Sequence, residues 1–238
     1  MNTDTICGLN AVTALFRHRP EAVERLFYTE EMKPIVGPWC HDLAAQRKPY
    51  RMLGAEEMNA AAYTTHHGGI AAVARSRHIP ILDINAIPKH QFLLILDGIG
   101  NPHNLGAIAR SAAFFGVKAI LIGEGPGHAL PSDAAYRVAE GGLEMVELYR
   151  TRALPQAIDA MRKHYRTVAT AIGPDTASMT DLPHDRPIAL VLGNEETGVA
   201  PDVLAVCRRR IQIVGAGNVQ SLNVAQAAAV LLSHLAMR

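Results

Sequence analysis

The sequence predicts an α/β protein, with a small α/β unit over residues 1–78, a linker over 79–90 and a doubly wound parallel sheet over 91–238. Three observations carry this. The apolar runs FLLIL, AILIG and IALVL show little alternation, as strands covered on both faces do. Between such runs apolar residues recur at helical spacing, giving strand then helix in steady succession. The stretch RHIPILDINAIPKHQ carries Pro80 and Pro88 and interrupts both periodicities, which marks the linker.

In the first unit GLNAVTALFRHR reads as a helix, with Leu9, Val12 and Leu15 or Phe16 on one face. VERLFYT reads as a strand, residues 32–48 as a helix, PYRML as a strand, AEEMNAAAY as a helix and GIAAVAR as a strand. In the second unit the strands are FLLILDGI, KAILIG, MVELYR, RTVATAIG, IALVLGN and RIQIVG. The intervening helices are HNLGAIARSAAFFG, the SDAAYRVAEGG region, LPQAIDAMRKHY and PDVLAVC, and an alanine-rich helix ends the chain. In such sheets ligands sit beyond the carboxyl ends of the strands. Chemistry is therefore sought in the loops after FLLILD, IALVLG and RIQIV.

Composition narrows the function classes. With 238 residues, 49% apolar and 19% charged, the chain can bury a real core, which excludes a disordered tail. It has no apolar run long enough to span a membrane. The three widely spaced cysteines, Cys7, Cys40 and Cys207, draw neither a disulfide framework nor a metal knuckle, and the start MNTDTICGLNAV lacks the features of a signal peptide. A cytoplasmic protein with reduced thiols is expected. The charge is balanced: 9 basic and 8 acidic residues up to position 78, and 14 of each beyond it. Any polyanion must therefore meet local patches, such as Arg208-Arg209-Arg210 or Arg75, Arg77 and His78, which otherwise are solvated surface.

The first loop, DGIGNPHNLGAIARSAAFFG, has Pro102 in its turn, Asn104 able to cap the following helix and Gly106 allowing a close approach. Arg110 is the only charge between His103 and Lys118, in a helix expected to lie on the sheet. A guanidinium buried there must reach an anion, or else it snorkels to the helix edge and pairs with a carboxylate. Gly106, one turn earlier on the same face, leaves room for a substrate. In the second loop, LVLGNEETGVAP, a Cβ at Gly193 would obstruct a flat ligand. Glu195 stands beside it, and because Glu196 diverges in direction, one functional carboxylate is expected rather than a pair. The alternative is a polar turn closed by Gly198 and Pro201. In the third loop Gly215 and Gly217 make a turn, and Ser221 or Asn223 starts the last helix, as a simple cap or as part of a site.

Two further patterns carry little. GEGPGHA follows a strand, but Pro126 and a misplaced third glycine spoil a dinucleotide fingerprint. His66-His67 and the other histidines show no ligand spacing supported by a second cluster, so no metal is expected.

Taken together, N-P-x-N-x-G-x-x-x-R (Asn101 to Arg110), G-N-E-x-x-G (Gly193 to Gly198) and S-L-N-V (Ser221 to Val224) resemble the SpoU/TrmH family, RNA ribose 2'-O-methyltransferases of the knotted SPOUT superfamily. The resemblance covers about residues 90–238. The segment around G-x-N-A-V and H-x-G-I is similar to the small RNA-binding domain that often precedes the catalytic one.

The resemblance implies a deep trefoil knot and a homodimer packed through it. It also implies S-adenosylmethionine held by backbone groups at Leu192, Gly193, Ile213, Ser221 and Leu222. It further implies catalytic roles for Arg110, Asn104, Glu195, Ser221 and Asn223. A guanidinium stays protonated in proteins, so Arg110 is expected to grip the phosphate beside the target ribose, with proton removal as the stronger version of its role. Many relatives have Gly after the second motif's Glu, where this chain has Glu196. The expected function is methyl transfer to a ribose 2'-hydroxyl of ribosomal or transfer RNA. The alternatives are a non-catalytic RNA-binding protein retaining the fold, and, by fold analogy alone, a nucleotide-dependent oxidoreductase.

Overall fold

The computed structural model describes residues 2–183 and 185–236. Met1, His184, Met237 and Arg238, which the sequence reading assigns to the two units, lie outside the described residues.

The chain runs β1 (Thr3–Cys7), α1 (Leu9–His18), β2 (Val23–Tyr28), α2 (Lys33–Ala45), β3 (Tyr50–Met52), α3 (Ala55–Ala62) and β4 (Ile70–Arg75). These strands form one sheet in the order β1-β4-β2-β3. Pairing is antiparallel except between β2 and β3. The strand β1, TDTIC, has no counterpart in the sequence reading. Only its second half is buried, and pairing of Thr3 to Cys7 with Arg75 to Ala71 makes it a strand, a distant contact that local pattern does not show.

The chain continues through β5 (Phe92–Leu96), α4 (Pro102–Phe114), β6 (Ala119–Gly123), α5 (Asp133–Ala139), α6 (Gly142–Met145), β7 (Glu147–Thr151) and α7 (Leu154–Met161). It ends with β8 (Arg166–Thr170), β9 (Ala177–Ser178), β10 (Ile188–Leu192), α8 (Pro201–Val206), β11 (Arg209–Gln212) and α9 (Val224–Leu235). Among the described residues the second sheet has the order β7-β6-β5-β10-β8-β11-β9. Every neighbouring pair in it is parallel.

The expected burial on both faces is seen residue by residue. Leu94, Leu96, Ile120, Ile122, Leu190 and Leu192 join one core with α4, α5 and α9. Their neighbours Leu93, Ile95, Leu121, Ala189 and Val191 join another with α7 and α8. Alternate side chains point to opposite faces of a strand, so each strand feeds two cores and reads as a continuous apolar run. The short α6 and the two-residue β9 escape the sequence reading because neither is long enough to show a period.

Residues 76–91 contain no helix and no strand beyond an isolated bridge of Ile81 with Arg150. They are nevertheless fastened. Arg150 N–H donates to Pro80 O (3.0 Å) and Leu82 N–H to Arg150 O (2.9 Å), laying the segment along the edge strand β7. Arg77 donates to the carbonyls of Leu143 and Val146, and Arg75 to Glu21 O (2.7 Å). Both guanidiniums of that basic patch thus hold the structure together rather than standing free.

The smaller sheet also docks through a buried ion pair. Arg19, at the end of α1, donates from Nε to Glu144 Oε2 (2.7 Å) and from Nη2 to Oε1 (2.6 Å). The Glu144 side chain is 1% exposed. This two-pronged contact fixes orientation as well as charge.

Candidate active site

Strands β5, β10, β8 and β11 run the same way and end nearly level, Leu96 beside Leu192, Val191 beside Ala169 and Thr170 beside Ile211. Their following turns therefore crowd one edge of the sheet. There a cleft of about 890 Å³ is enclosed by the turns after β8, β10 and β11 and by the start of α9. That volume lies within the usual range for a small-molecule site.

All the residues expected to hold a donor, Leu192, Gly193, Ile213, Ser221 and Leu222, line this cleft. So do Glu195 and Glu196. Asn104, Asn223 and Arg110 do not line it. The sequence reading misses the wall formed by Thr170, Ala171 and Ile172; the available signal is that RTVAT is also a buried strand whose carboxyl end faces the same edge.

Asn104 and Asn223 are joined to the cleft through Glu195. Asn104 Nδ2 donates to Glu195 Oε1, and Asn223 Nδ2 donates to Asn104 Oδ1 (3.2 Å). The direction of this chain is fixed at one end. Asn223 Oδ1 accepts the N–H of Ala225 (2.9 Å), capping α9, so its amide nitrogen must face Asn104. The Asn104 oxygen is then committed to Asn223 and its nitrogen to the Glu195 carboxylate. Three side chains drawn from a span of 119 positions in sequence thus form one polar wall, with Ser221 two residues from its end.

Asn104 is free for this because Asn101, not Asn104, caps α4. Asn101 Oδ1 accepts the N–H of His103 (2.9 Å), and Pro102 occupies the first helical turn. The expectation that Asn104 caps the helix is corrected on that geometry.

The second loop is rigid by its own hydrogen bonds. Asn194 and Gly198 exchange two backbone bonds of 3.0 Å, and Asn194 Oδ1 accepts the N–H groups of Glu196 (2.9 Å) and Thr197 (3.0 Å). Asn194 Nδ2 reaches across to Gly98 O (2.8 Å), tying this loop to the one after β5. Asn194 is a structural hub that the sequence reading passes over in favour of its neighbour. Glu195 and Glu196 diverge as expected, since only Glu195 meets Asn104.

Two glycines serve packing rather than ligand space. A Cβ at Gly193 would lie 2.2 Å from Val199 N and 2.3 Å from Gly198 C, so the loop's own backbone excludes a side chain there. A Cβ at Gly106 would lie 2.4 Å from Ala135 O, so this glycine lets α5 press against α4. Neither leaves a gap for a substrate.

Arg110 also departs from expectation. It is exposed, not buried on the sheet, and among the described residues it makes no hydrogen bond or ion pair. It lies on the outer stripe of α4 with His103, Ala107 and Phe114, the last 82% exposed. Six helical positions separate it from Asn104, about 9 Å along the axis and about 120° around it. The premise of a stranded, buried cation is wrong, and neither an internal anion nor a carboxylate partner is needed.

The GEGPGHA turn packs against the loop after β5, with Ala129 N–H donating to Ile99 O (2.7 Å), and no helix begins until Asp133. His67 is held by Asn59 Oδ1 (3.0 Å) and the N–H of Gly69 (2.9 Å). Among the described residues no group of three or more His, Cys, Asp or Glu is placed to hold a metal, and no helix is long and apolar enough to cross a membrane.

Comparison with known proteins places this geometry. Residues 91–233 match the SpoU rRNA methylase family, and residues 5–80 match the RNA 2'-O ribose methyltransferase substrate-binding family. An uncharacterised tRNA/rRNA methyltransferase, YfiF of Escherichia coli O157:H7, is 32% identical over 96% of this chain, which spans 66% of that relative's length. The 23S rRNA (guanosine-2'-O-)-methyltransferase RlmB of Bordetella pertussis is 30% identical over 97% of this chain and 96% of its own. The solved structure of an AdoMet-bound rRNA methyltransferase from Sinorhizobium meliloti superposes with a TM-score of 0.82 at 20% identity, covering 98% of this chain and 86% of that one. At that identity the likeness speaks for the fold.

Proposed function

The chain belongs to the SpoU rRNA methylase family, and from that premise we propose that it transfers a methyl group from S-adenosylmethionine to a ribose 2'-hydroxyl of ribosomal or transfer RNA. The observation that carries the reading is the cleft of about 890 Å³ where the strand-end turns meet, lined by Glu195, to which Asn104 and, through it, Asn223 are hydrogen-bonded.

The residues present fit the donor. The turns after β10 and β11 bring Gly193, Gly198, Gly215 and Gly217 to the cleft, so backbone N–H and C=O groups are accessible to a ligand. Leu192, Gly193, Ile213, Ser221 and Leu222 are the positions that would hold it, while Val224, Ala227 and Leu231 of α9 give an apolar floor. When bound, S-adenosylmethionine supplies an electrophilic sulfonium methyl. The protein's task is to align a weak ribose nucleophile and ease the loss of its proton.

Glu195 and Asn223 hold Asn104 in one orientation, and with Ser221 they present a fixed set of polar atoms to the ribose. Arg110 grips the phosphate beside that ribose. An exposed guanidinium without a partner is available for this, and its charge lowers the cost of developing an alkoxide. Removal of the proton by Arg110 itself is the stronger form of the proposal.

The same reading includes the division into an RNA-binding unit at 1–78, a linker at 79–90 and a methyltransferase unit at 91–238. It also includes a trefoil knot formed by the C-terminal turns, a cytoplasmic location and a homodimer packed through the knot. The exposed Phe114 on α4, which packs beside α9, supports such a dimer.

The test is incubation of purified protein with labelled donor and unmodified ribosomal or transfer RNA. The expected product resists alkaline cleavage at one bond, because a methylated 2'-oxygen cannot attack its phosphate. Arg110→Ala is expected to abolish turnover and leave donor binding by calorimetry unchanged. No label and no resistant bond would refute the activity; donor binding without transfer would favour a non-catalytic RNA-binding protein. Full turnover in Arg110→Ala would refute the role given to that residue.

A further inference from the structure

A second cleft, of about 430 Å³, is lined by five arginines: Arg162, Arg166, Arg186, Arg208 and Arg209. It lies at the opposite end of the sheet from the first. Arg166 begins β8 and lines this cleft, while Thr170 ends β8 and lines the other. Likewise Arg209 begins β11 and Gln212 ends it. Four strand steps put the two openings about 13 Å apart along β8.

Three of the arginines are held from behind. Arg166 Nη2 pairs with Asp185 (2.6 Å), and its Nη1 donates to Pro183 O. Arg162 Nη1 pairs with Asp159 (2.8 Å), and Arg186 Nη2 donates to the carbonyls of Arg162 and Lys163 (3.3 Å each). A hydrogen bond from its own backbone N–H, then the Arg166 contact, hold the Asp185 carboxyl below its ordinary pKa. Even so, among the described residues only Arg162 and Arg166 of the five arginines have an ion-paired carboxylate. The Arg208 and Arg209 side chains are exposed and unpaired among the described residues, and Arg162 Nε is buried without a hydrogen-bond partner.

Like charges converging on one cleft repel unless an anion lies among them. Guanidinium forks suit phosphate oxygens, and among the described residues the lining is arginine alone, with no aromatic ring on which a base could stack. The overall charge of +1 provides no general attraction for a polyanion, so an RNA must be gripped locally. We propose that this arginine cleft binds the phosphate backbone of the substrate RNA, as a second, sequence-independent contact at the opposite end of the sheet's strands from the donor cleft. The proposal rests on RNA being the substrate. Its role is to position the RNA, since phosphate contacts fix register without reading sequence.

The experiment compares wild type, Arg208→Ala/Arg209→Ala and Arg208→Lys/Arg209→Lys for binding of an unmodified ribosomal RNA transcript across a salt series. Two lost phosphate contacts are expected to make the slope of log affinity against log salt shallower by about 1.4–1.8, a difference of about 25- to 60-fold over each tenfold change in salt. The lysine pair is expected to retain the slope, and calorimetry with S-adenosylmethionine to show unchanged donor binding in both variants. An alanine pair with wild-type affinity and slope overturns the proposal, as does wild type that binds inorganic phosphate but no RNA. Methyl transfer with an unchanged slope sinks the arginine cleft alone. A lowered slope in a protein that transfers no methyl sinks the activity alone.

Discussion

Substituting Gly106 with alanine puts a methyl carbon 2.4 Å from Ala135 O and 3.0 Å from Val138 Cβ, where ordinary contact begins near 3.4 Å. Closing that 1 Å deficit requires α5 to move away from α4, because the nearer atom is backbone and cannot rotate aside. Overpacking of this kind costs about 1–3 kcal/mol. For a chain of this length each kcal/mol lowers Tm by about 2–4 °C, so the variant should melt roughly 2–12 °C below wild type. The loss should fall on stability while calorimetric donor affinity stays within about twofold, since Gly106 lies outside the donor cleft. The assay is thermal unfolding by circular dichroism, paired with titration of S-adenosylmethionine. An unchanged Tm with donor or RNA binding lost would refute the packing argument and restore Gly106 as ligand space.

Two other perturbations probe the supports of the site. Glu144→Ala should destabilise the protein by about 3–5 kcal/mol in urea unfolding, because it leaves the largely buried Arg19 without its carboxylate; Arg19→Met with Glu144→Leu should cost less than the single change. Equal losses would show that the pair's charge is immaterial. Asn104→Asp replaces an amide donor by a carboxylate facing Glu195, and turnover should fall about 10- to 100-fold at pH 8 with donor affinity unchanged. Because two facing carboxylates favour holding one proton between them, activity should recover as the pH falls toward 5. A pH–rate profile parallel to wild type would count against a role for the Asn104 to Glu195 bond.

The sequence made the parallel sheet legible because its strands feed two cores. Runs such as FLLIL and IALVL are apolar and buried at every position, as strands covered on both faces are. The site was legible where a side chain's chemistry is local: Asn223 caps a helix and Glu195 stands in a strand-end turn whatever the rest of the chain does. It was misread where absence carries the information. Gly106 and Gly193 look alike whether a ligand or a neighbouring backbone fills the space, and only the positions of Ala135 and Gly198 decide. Arg110 was misjudged because one charge in an apolar helix suggests burial. Yet His103, Ala107, Arg110 and Phe114 follow at helical spacing and form one outward stripe, so reading the face rather than the composition would have placed the cation in solvent. The arginine cleft was half visible, since Arg208 and Arg209 adjoin in sequence while Arg162, Arg166 and Arg186 join them only through the sheet order.

The distribution of charge gives these features a common logic. The donor cleft is lined mainly by apolar side chains and glycine-rich turns, with the carboxylates Glu195 and Glu196 at one wall and, among the described residues, no Lys, Arg or His. On the proposed function an RNA ribose brought there is held by cations elsewhere, and among the described residues several arginines without internal partners stand outside that cleft, including Arg110 on the outer stripe of α4 and Arg208 and Arg209 at the foot of β11. Phosphate attraction weakens with salt, whereas apolar and backbone contacts to a donor respond to it much less. Raising salt should therefore increase KM for RNA steeply while leaving donor affinity nearly constant. That separation is what a protein with balanced total charge needs if it is to admit a small cationic cofactor and a large anion to adjoining places without either competing for the other's contacts.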